Sequence, residues 1–346
     1  MSSDWNEELR RFDYTIPPEL IANKPAHPRD SAKLVVLERA TGKVTWTTFR
    51  DIGNFLPRGS LLVLNETKVI PARLTLTRAS GGQVAILRLK VERGLLHVLS
   101  PKALKVGEKL KLGSRDIFIV DGRTEEGWML RPLIPIHSVD ALFQKHGTMP
   151  IPPYIKKTPL SEQQLRREYQ TVFAKQKGSI AAPTASLHFT THLLHDLEKS
   201  GIELCRITLH VHLGTFAPLT EEQWNAGALH PEEYHIAAPA MQQIAHAKRE
   251  GRSIIAVGTT ALRTLESAAD SHGKLVHPDG TTRLFIREGY RFRIVDGLIT
   301  NFHVPQSSLL MLVSAFAGRE RVMNVYSQAI EKKLRFFSFG DAMLVF

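Results

Sequence analysis

Between Arg73 and Leu133 the chain reads as six short alternating runs, RLTLTR, QVAILRLKVE, LLHVLS, EKLKL, DIFIVDG and WMLRPL, broken by glycine-bearing turns at SGG, RG, VG, LG and EEG. Alternation with period two on segments this short builds antiparallel β structure, and its simplest edge-free form is a small closed barrel. The Pro-rich MPIPPYIKKTP that follows cannot pair or coil regularly, so it reads as a return linker. Whatever surrounds this block has to be interrupted by it.

On both sides the period changes. Apolar runs in GSLLVLNETKVIPARL, IELCRITLHVHLGTF, RSIIAVGTT and GYRFRIVDGLITNFHVP read as buried strands that end in polar loops. TTHLLHDLEKSG, APAMQQIAHAKREG and GTTALRTLESAAD carry helical spacing, with Gly201 and Gly251 as stop signals. The expected fold is α/β: a large mixed α/β domain, discontinuous over 1–70 and 155–346, with a small all-β barrel domain inserted at 71–154. A hydrophobic share of 43% supplies core for both.

The charge narrows the partners. A formal net charge of +11 attracts polyanions, which makes nucleic acid a candidate. The single cysteine, Cys205, excludes an internal disulfide framework and any cysteine-rich zinc site, and fits a reducing compartment. MSSDWNEELRRFDY lacks the apolar core of a signal peptide, and SSLLMLVSAFAG is too short to span a bilayer. These features lead us to expect a cytoplasmic protein that does not engage a membrane.

In open α/β sheets ligands bind beyond the carboxyl ends of the strands. That directs attention to the loops after LHV, IIAVG and LIT. In VGTTALRTLES, Thr259 and Thr260 stand at a helix N-terminus suited to an anion or hydroxyl, with Arg263 one turn on; the competing reading is a Thr cap with Arg263 paired to Glu266. His210 and His212 share one strand face. With His230 they raise the possibility of a metal-dependent hydrolase, but no acidic or cysteine ligand cluster accompanies them, and we expect no metal. In AAPTASLHFT, Pro183 breaks any helix, Thr184 and Ser186 offer hydroxyls, and His188 can take a proton near neutral pH; a packed core histidine is its rival reading. In TNFHVPQSSLLMLVSAFAG, Asn301 and His303 follow Thr300 at a strand end, and Gln306, Ser307 and Ser308 stand where a cap belongs.

Eight stretches in order along the chain, FDYTIPPELIANKP, LLVLNETKVIPARL, PIPPYI, YQTVFAKQKGSIAAPTASLHFT, ITLHVHLGTFAPL, IAVGTTALRTLESAA, VDGLITNFHVPQSSLLMLVSAFAG and RFFSFGDAMLV, resemble the S-adenosylmethionine:tRNA ribosyltransferase-isomerase family of the queuosine pathway. The resemblance covers almost the whole chain and implies the same barrel-in-α/β architecture. It implies that S-adenosylmethionine serves as a ribosyl donor, with no metal. The ribosyl group passes to the aminomethyl group of a deazaguanine at the tRNA wobble position and is rearranged to an epoxycyclopentanediol, with adenine and methionine released.

That chemistry needs a base for the carbon beside the sulfonium. His188 is the first choice, with His210 and His303 as competitors. The resemblance further implies that Tyr169, Thr184, Thr215, Thr259, Thr260, Arg263, Asp296 and Asn301 shape the donor pocket and that the anticodon stem-loop of tRNA is the partner; Ser186 and Gly214 are expected beside the donor as well, and the protein is expected to be a monomer. Tyr154 and Phe337 are candidate stacking surfaces for its bases.

The chain departs from the family pattern in several places. Ser186 and His212 stand for glycines, and a side chain at either position is expected to narrow the pocket. Pro231 stands for a serine between His230 and Glu232, Arg287 and Glu288 for Tyr-Pro, and Lys33 for a second arginine after Arg29. A catalytically silent tRNA binder on the same fold is the alternative these changes raise.

Overall fold

The structure, a computed structural model, describes residues 5–125, 127–211 and 218–346. Two compact units divide the chain: Met1–Lys68 with Pro152–Leu160 and Glu168–Phe346, and Val69–Ile151 with Ser161–Arg167.

In the first unit, among the described residues, nine strands form one sheet in the order Asp279–Leu284, Ala228–His235, Glu203–Leu209, Leu61–Asn65, Ile254–Val257, Gly297–Asn301, Ala342–Val345, Lys33–Leu37, Val44–Thr48. The four strands from Glu203–Leu209 to Gly297–Asn301 are mutually parallel. Ala342–Val345 runs antiparallel to Gly297–Asn301 but parallel to Lys33–Leu37.

Continuous apolar runs are what a sheet covered on both faces requires, and the alternation divides them cleanly. Leu61 and Val63, Ile254 and Ala256, Leu298, and Met343 and Val345 face one core, shared with the helices Ala238–Arg249, Thr259–Ala268, Ser308–Ala317 and Arg319–Glu331. Leu62 and Leu64, Ile255 and Val257, Ile299, and Ala342 and Leu344 face a second core beneath the helix Thr191–Lys199. Thr190 and Ser307 cap two of these helices, their hydroxyls accepting from the N–H groups of Leu193 at 3.1 Å and Leu310 at 3.2 Å.

In the second unit six antiparallel strands, Gly127–Pro132, Leu95–Leu99, Gln83–Glu92, Arg73–Arg78, Lys109–Leu112 and Arg115–Thr124, close into a barrel in that order. Leu74, Leu76, Val84, Ile86, Leu96, Val98, Phe118 and Leu130 fill it.

Two features differ from the sequence reading. A helix, Ser138–His146, lies between the last barrel strand and the proline-rich linker, where the sequence reading assigned no element, and seals the barrel core with Val139 and Phe143. Past the proline-rich stretch, the helix Glu162–Glu168 is tied back: Arg166 donates to the carbonyls of Gln144 at 2.9 Å and Gly147 at 2.6 Å, and Glu162 accepts from the Met149 N–H at 3.0 Å. Among the described residues no helix is long and apolar enough to cross a membrane.

Candidate active site

A cleft of about 580 Å³ opens at the carboxyl ends of the central parallel strands. Ile254–Val257 runs into Gly258, Thr259 and Thr260; Gly297–Asn301 runs into Phe302 and His303; Ala182 to Ala185 and the pair Tyr154 and Phe337 complete the walls. Gly258 holds φ at +92°, which a side chain adopts only with strain, and this turn sets the Thr259–Ala268 helix against the cleft. Among the described residues, the lining contains no aspartate, glutamate, lysine or arginine.

Asn301 sits at the centre of its polar contacts. Its Oδ1 accepts from the Thr184 hydroxyl at 2.7 Å, and its Nδ2 donates to His188 Nε2 at 3.3 Å. His188 itself is 5% exposed, stacks at 4.9 Å on Phe49, and stands behind the lining rather than in it. Burial, aided by the positive charges of Arg335 and Arg29, lowers its pKa to about 3.

His303 does line the cleft. Its Nε2 shares a 2.7 Å hydrogen bond with the Thr300 hydroxyl, and desolvation lowers its pKa to about 3 as well. Two tyrosines hold its backbone: the His303 N–H donates to Tyr326 Oη at 2.9 Å, and Tyr14 Oη donates to the His303 carbonyl at 2.5 Å. Both phenols are pushed well above their usual range by burial, so they remain neutral donors and acceptors.

The two histidines make stability pH-dependent. Each is neutral in the folded chain down to about pH 3 but titrates near 6.5 when unfolded, so the unfolded state binds more protons across that window. Stability should therefore fall as pH drops from about 6.5 toward 3, by at most about 1.4 kcal/mol per pH unit per histidine. Thermal melts between pH 7.5 and 4.5 check this. His188→Gln should remove one histidine's share of the slope, and an unchanged slope would contradict the assignment.

The remaining expected residues divide sharply. Thr184, Thr259, Thr260, Asn301 and His303 line the cleft, as do Tyr154 and Phe337. Those two rings lie 4.9 Å apart, with Tyr154 Oη 2.5 Å from the Ser338 hydroxyl and its pKa pushed up to about 12. His210 packs elsewhere: its Nδ1 shares a 2.9 Å hydrogen bond with Thr67 and its ring presses on Gly178, where an added Cβ would meet it at 2.9 Å. Tyr169 is fully buried against Phe339 and outside the lining of the cleft. Ser186 is also fully buried and outside the lining, so it does not narrow the cleft directly. His212, Gly214 and Thr215 fall outside the described residues.

Two expectations need correction. Arg263 neither reaches the cleft nor pairs with Glu266; it is buried in an ion pair with Glu232 and donates from Nε to the Leu284 carbonyl at 3.0 Å. Glu266 instead accepts from the backbone N–H groups of Arg293, Ile294 and Val295 and from the Tyr290 hydroxyl. Asp296 stands at the opposite end of the sheet, where its Oδ2 accepts from the Ile254 N–H at 2.9 Å. The five residues of Gly297–Asn301 separate it from the cleft by roughly 16 Å.

Sequence reasoning missed Asn65. Its side chain is fully buried beneath Thr260, donating to the Leu209 carbonyl at 3.0 Å and accepting from the Leu209 N–H at 3.0 Å. An asparagine ending an apolar strand was the available signal. No local pattern pointed to Tyr326, which sits in the middle of a helix.

Fold and site define an α/β protein with a cleft at the sheet's carboxyl end and an inserted barrel. The sequence matches the family described as queuosine biosynthesis protein over residues 9–345, and the chain belongs to that family. S-adenosylmethionine:tRNA ribosyltransferase-isomerases are close in sequence: that of Heliobacterium modesticaldum is 47% identical, covering 98% of this chain and 99% of the relative. That of Pelobacter propionicus is 44% identical over 97% and 99%. The crystal structure of S-adenosylmethionine tRNA ribosyltransferase from Thermotoga maritima is similar at a TM-score of 0.56 and 34% identity, covering 97% of this chain and 100% of that one.

Proposed function

We infer that this chain is an S-adenosylmethionine:tRNA ribosyltransferase-isomerase that works in the cytoplasm on a modified wobble base. The observation that carries the reading is the cleft whose described lining, with Thr184, Thr259, Thr260, Asn301 and His303, holds no formal charge, in a chain of this family. A sulfonium bound there meets no carboxylate from the described lining. It therefore keeps its full pull on the neighbouring C–H bond, which favours using the donor for its sugar.

In this reading the cleft takes S-adenosylmethionine, and the imidazole of His303 accepts the proton from the carbon beside the sulfonium. His188 is a positioning residue that fixes Asn301. The burial that keeps His303 neutral also weakens it as a base, so the acidity has to come from the sulfonium. Tyr154 and Phe337 offer the aromatic surface on which an unstacked base can lie.

Adenine release from S-adenosylmethionine by the purified protein, with and without tRNA carrying the aminomethyl-deazaguanine, tests the proposal. Release that depends on the modified tRNA is the expected result. Tight tRNA binding without release would instead identify a silent binder.

A further inference from the structure

The barrel unit holds a second concavity, all of its lining residues within that unit. An open groove of about 570 Å³ runs between the strand Arg115–Thr124 and the helix Ser138–His146. Ile117, Ile134 and Leu142 make an apolar floor, and Arg115, Lys145 and His146 stand at its edge. Leu133 and Ile136, in the segment that forms one wall, are each 43% exposed.

The charges nearby are already spoken for. Asp140 on the helix pairs with Arg88, and Asp116 on the strand is shared by Lys109 and Lys111. Among the described residues, Arg115 and Lys145 therefore face the groove without a carboxylate partner. The unit as a whole holds fifteen Lys or Arg against eight Asp or Glu, so it carries +7 of the chain's +11 although it is much the smaller part.

An apolar floor under a cationic edge is complementary to a nucleotide, with its base or sugar face below and its phosphates beside the cations. Resting on the reading above, we propose that this groove is a docking site for the tRNA backbone, separate from the cleft that handles the wobble base.

The test measures binding of an unmodified tRNA transcript by the full-length protein across a salt series. Arg115→Gln with Lys145→Gln should weaken binding about tenfold at physiological salt and reduce the log–log salt slope by about two. Ala141→Trp, which fills the groove without changing charge, should also weaken it. Lys199→Gln with Arg249→Gln, two exposed cations on helices of the other unit, should change affinity much less.

Equal losses from both charge pairs, or no loss from either groove variant, would overturn the proposal. So would a groove substitution that leaves tRNA affinity intact and instead dissolves a self-associated form, because the occupant would then be a second copy. The two readings fail differently. Weakened binding by the groove variants without adenine release in any condition removes the activity and leaves the groove, whereas normal release with an unchanged tRNA KM removes the groove alone.

Discussion

Replacing His303 with glutamine is expected to lower kcat for adenine release by roughly 10²–10⁴-fold, the usual contribution of a positioned acid or base, while donor affinity stays near native. Glutamine retains an amide that can meet the Thr300 hydroxyl, so the cleft keeps its shape and loses its proton acceptor. His188→Gln should behave otherwise. The imidazole is one bond removed from the lining, so its loss disturbs Asn301 and should move KM and kcat together. The native profile carries a further mark: with His303 neutral down to about pH 3, its titration should not cut kcat as pH falls from 8 toward 5. If His303→Gln turns over normally and His188→Gln is dead, the base is His188.

Glu266→Ala is expected to be strongly destabilising. The carboxylate is 1% exposed, and among its partners the Ile294 and Val295 N–H groups lie on buried residues. Alanine leaves those donors unsatisfied at about 1–3 kcal/mol each, for a total of roughly 3–5 kcal/mol with the Tyr290 bond included. Melting temperature should fall by roughly 10 °C at the usual conversion for domains of this size. Glu266→Gln, which keeps one carbonyl oxygen, should fall between. A Glu266→Ala protein that melts with the native one would show that the loop finds other partners.

The parts of the fold legible in the sequence were those set by neighbours in the chain. RLTLTR and QVAILRLKVE announce barrel strands because each alternates and ends in a turn, and the structure has them at Arg73–Arg78 and Gln83–Glu92. Thr259 and Asn301 were legible as cleft residues because each ends or follows an apolar parallel strand. Arg263 was misread because its partner Glu232 comes from the strand Ala228–His235, a neighbour only through tertiary structure, while Glu266 lay one helical turn away. Asp296 was misread for another reason: it was expected from the resemblance, whereas its place just before Gly297–Asn301 puts it at the amino end of that strand, away from a carboxyl-end cleft. The Tyr14 and Tyr326 hold on His303 joins positions far apart in sequence, beyond any spacing rule.

The placement of Ala342–Val345 between Gly297–Asn301 and Lys33–Leu37 sets a timetable for synthesis. Among the described residues, the hairpin Lys33–Thr48 reaches the rest of the sheet only through a segment made roughly 300 residues later, which at about 5–20 residues per second means a wait of at least about 15 s. The barrel, whose strands all lie between Arg73 and Pro132, can close long before then. Throughout that interval Leu34 to Leu37 have no sheet neighbour on that side, so the hairpin stays open to pairing with a wrong edge, and slower elongation lengthens the exposure.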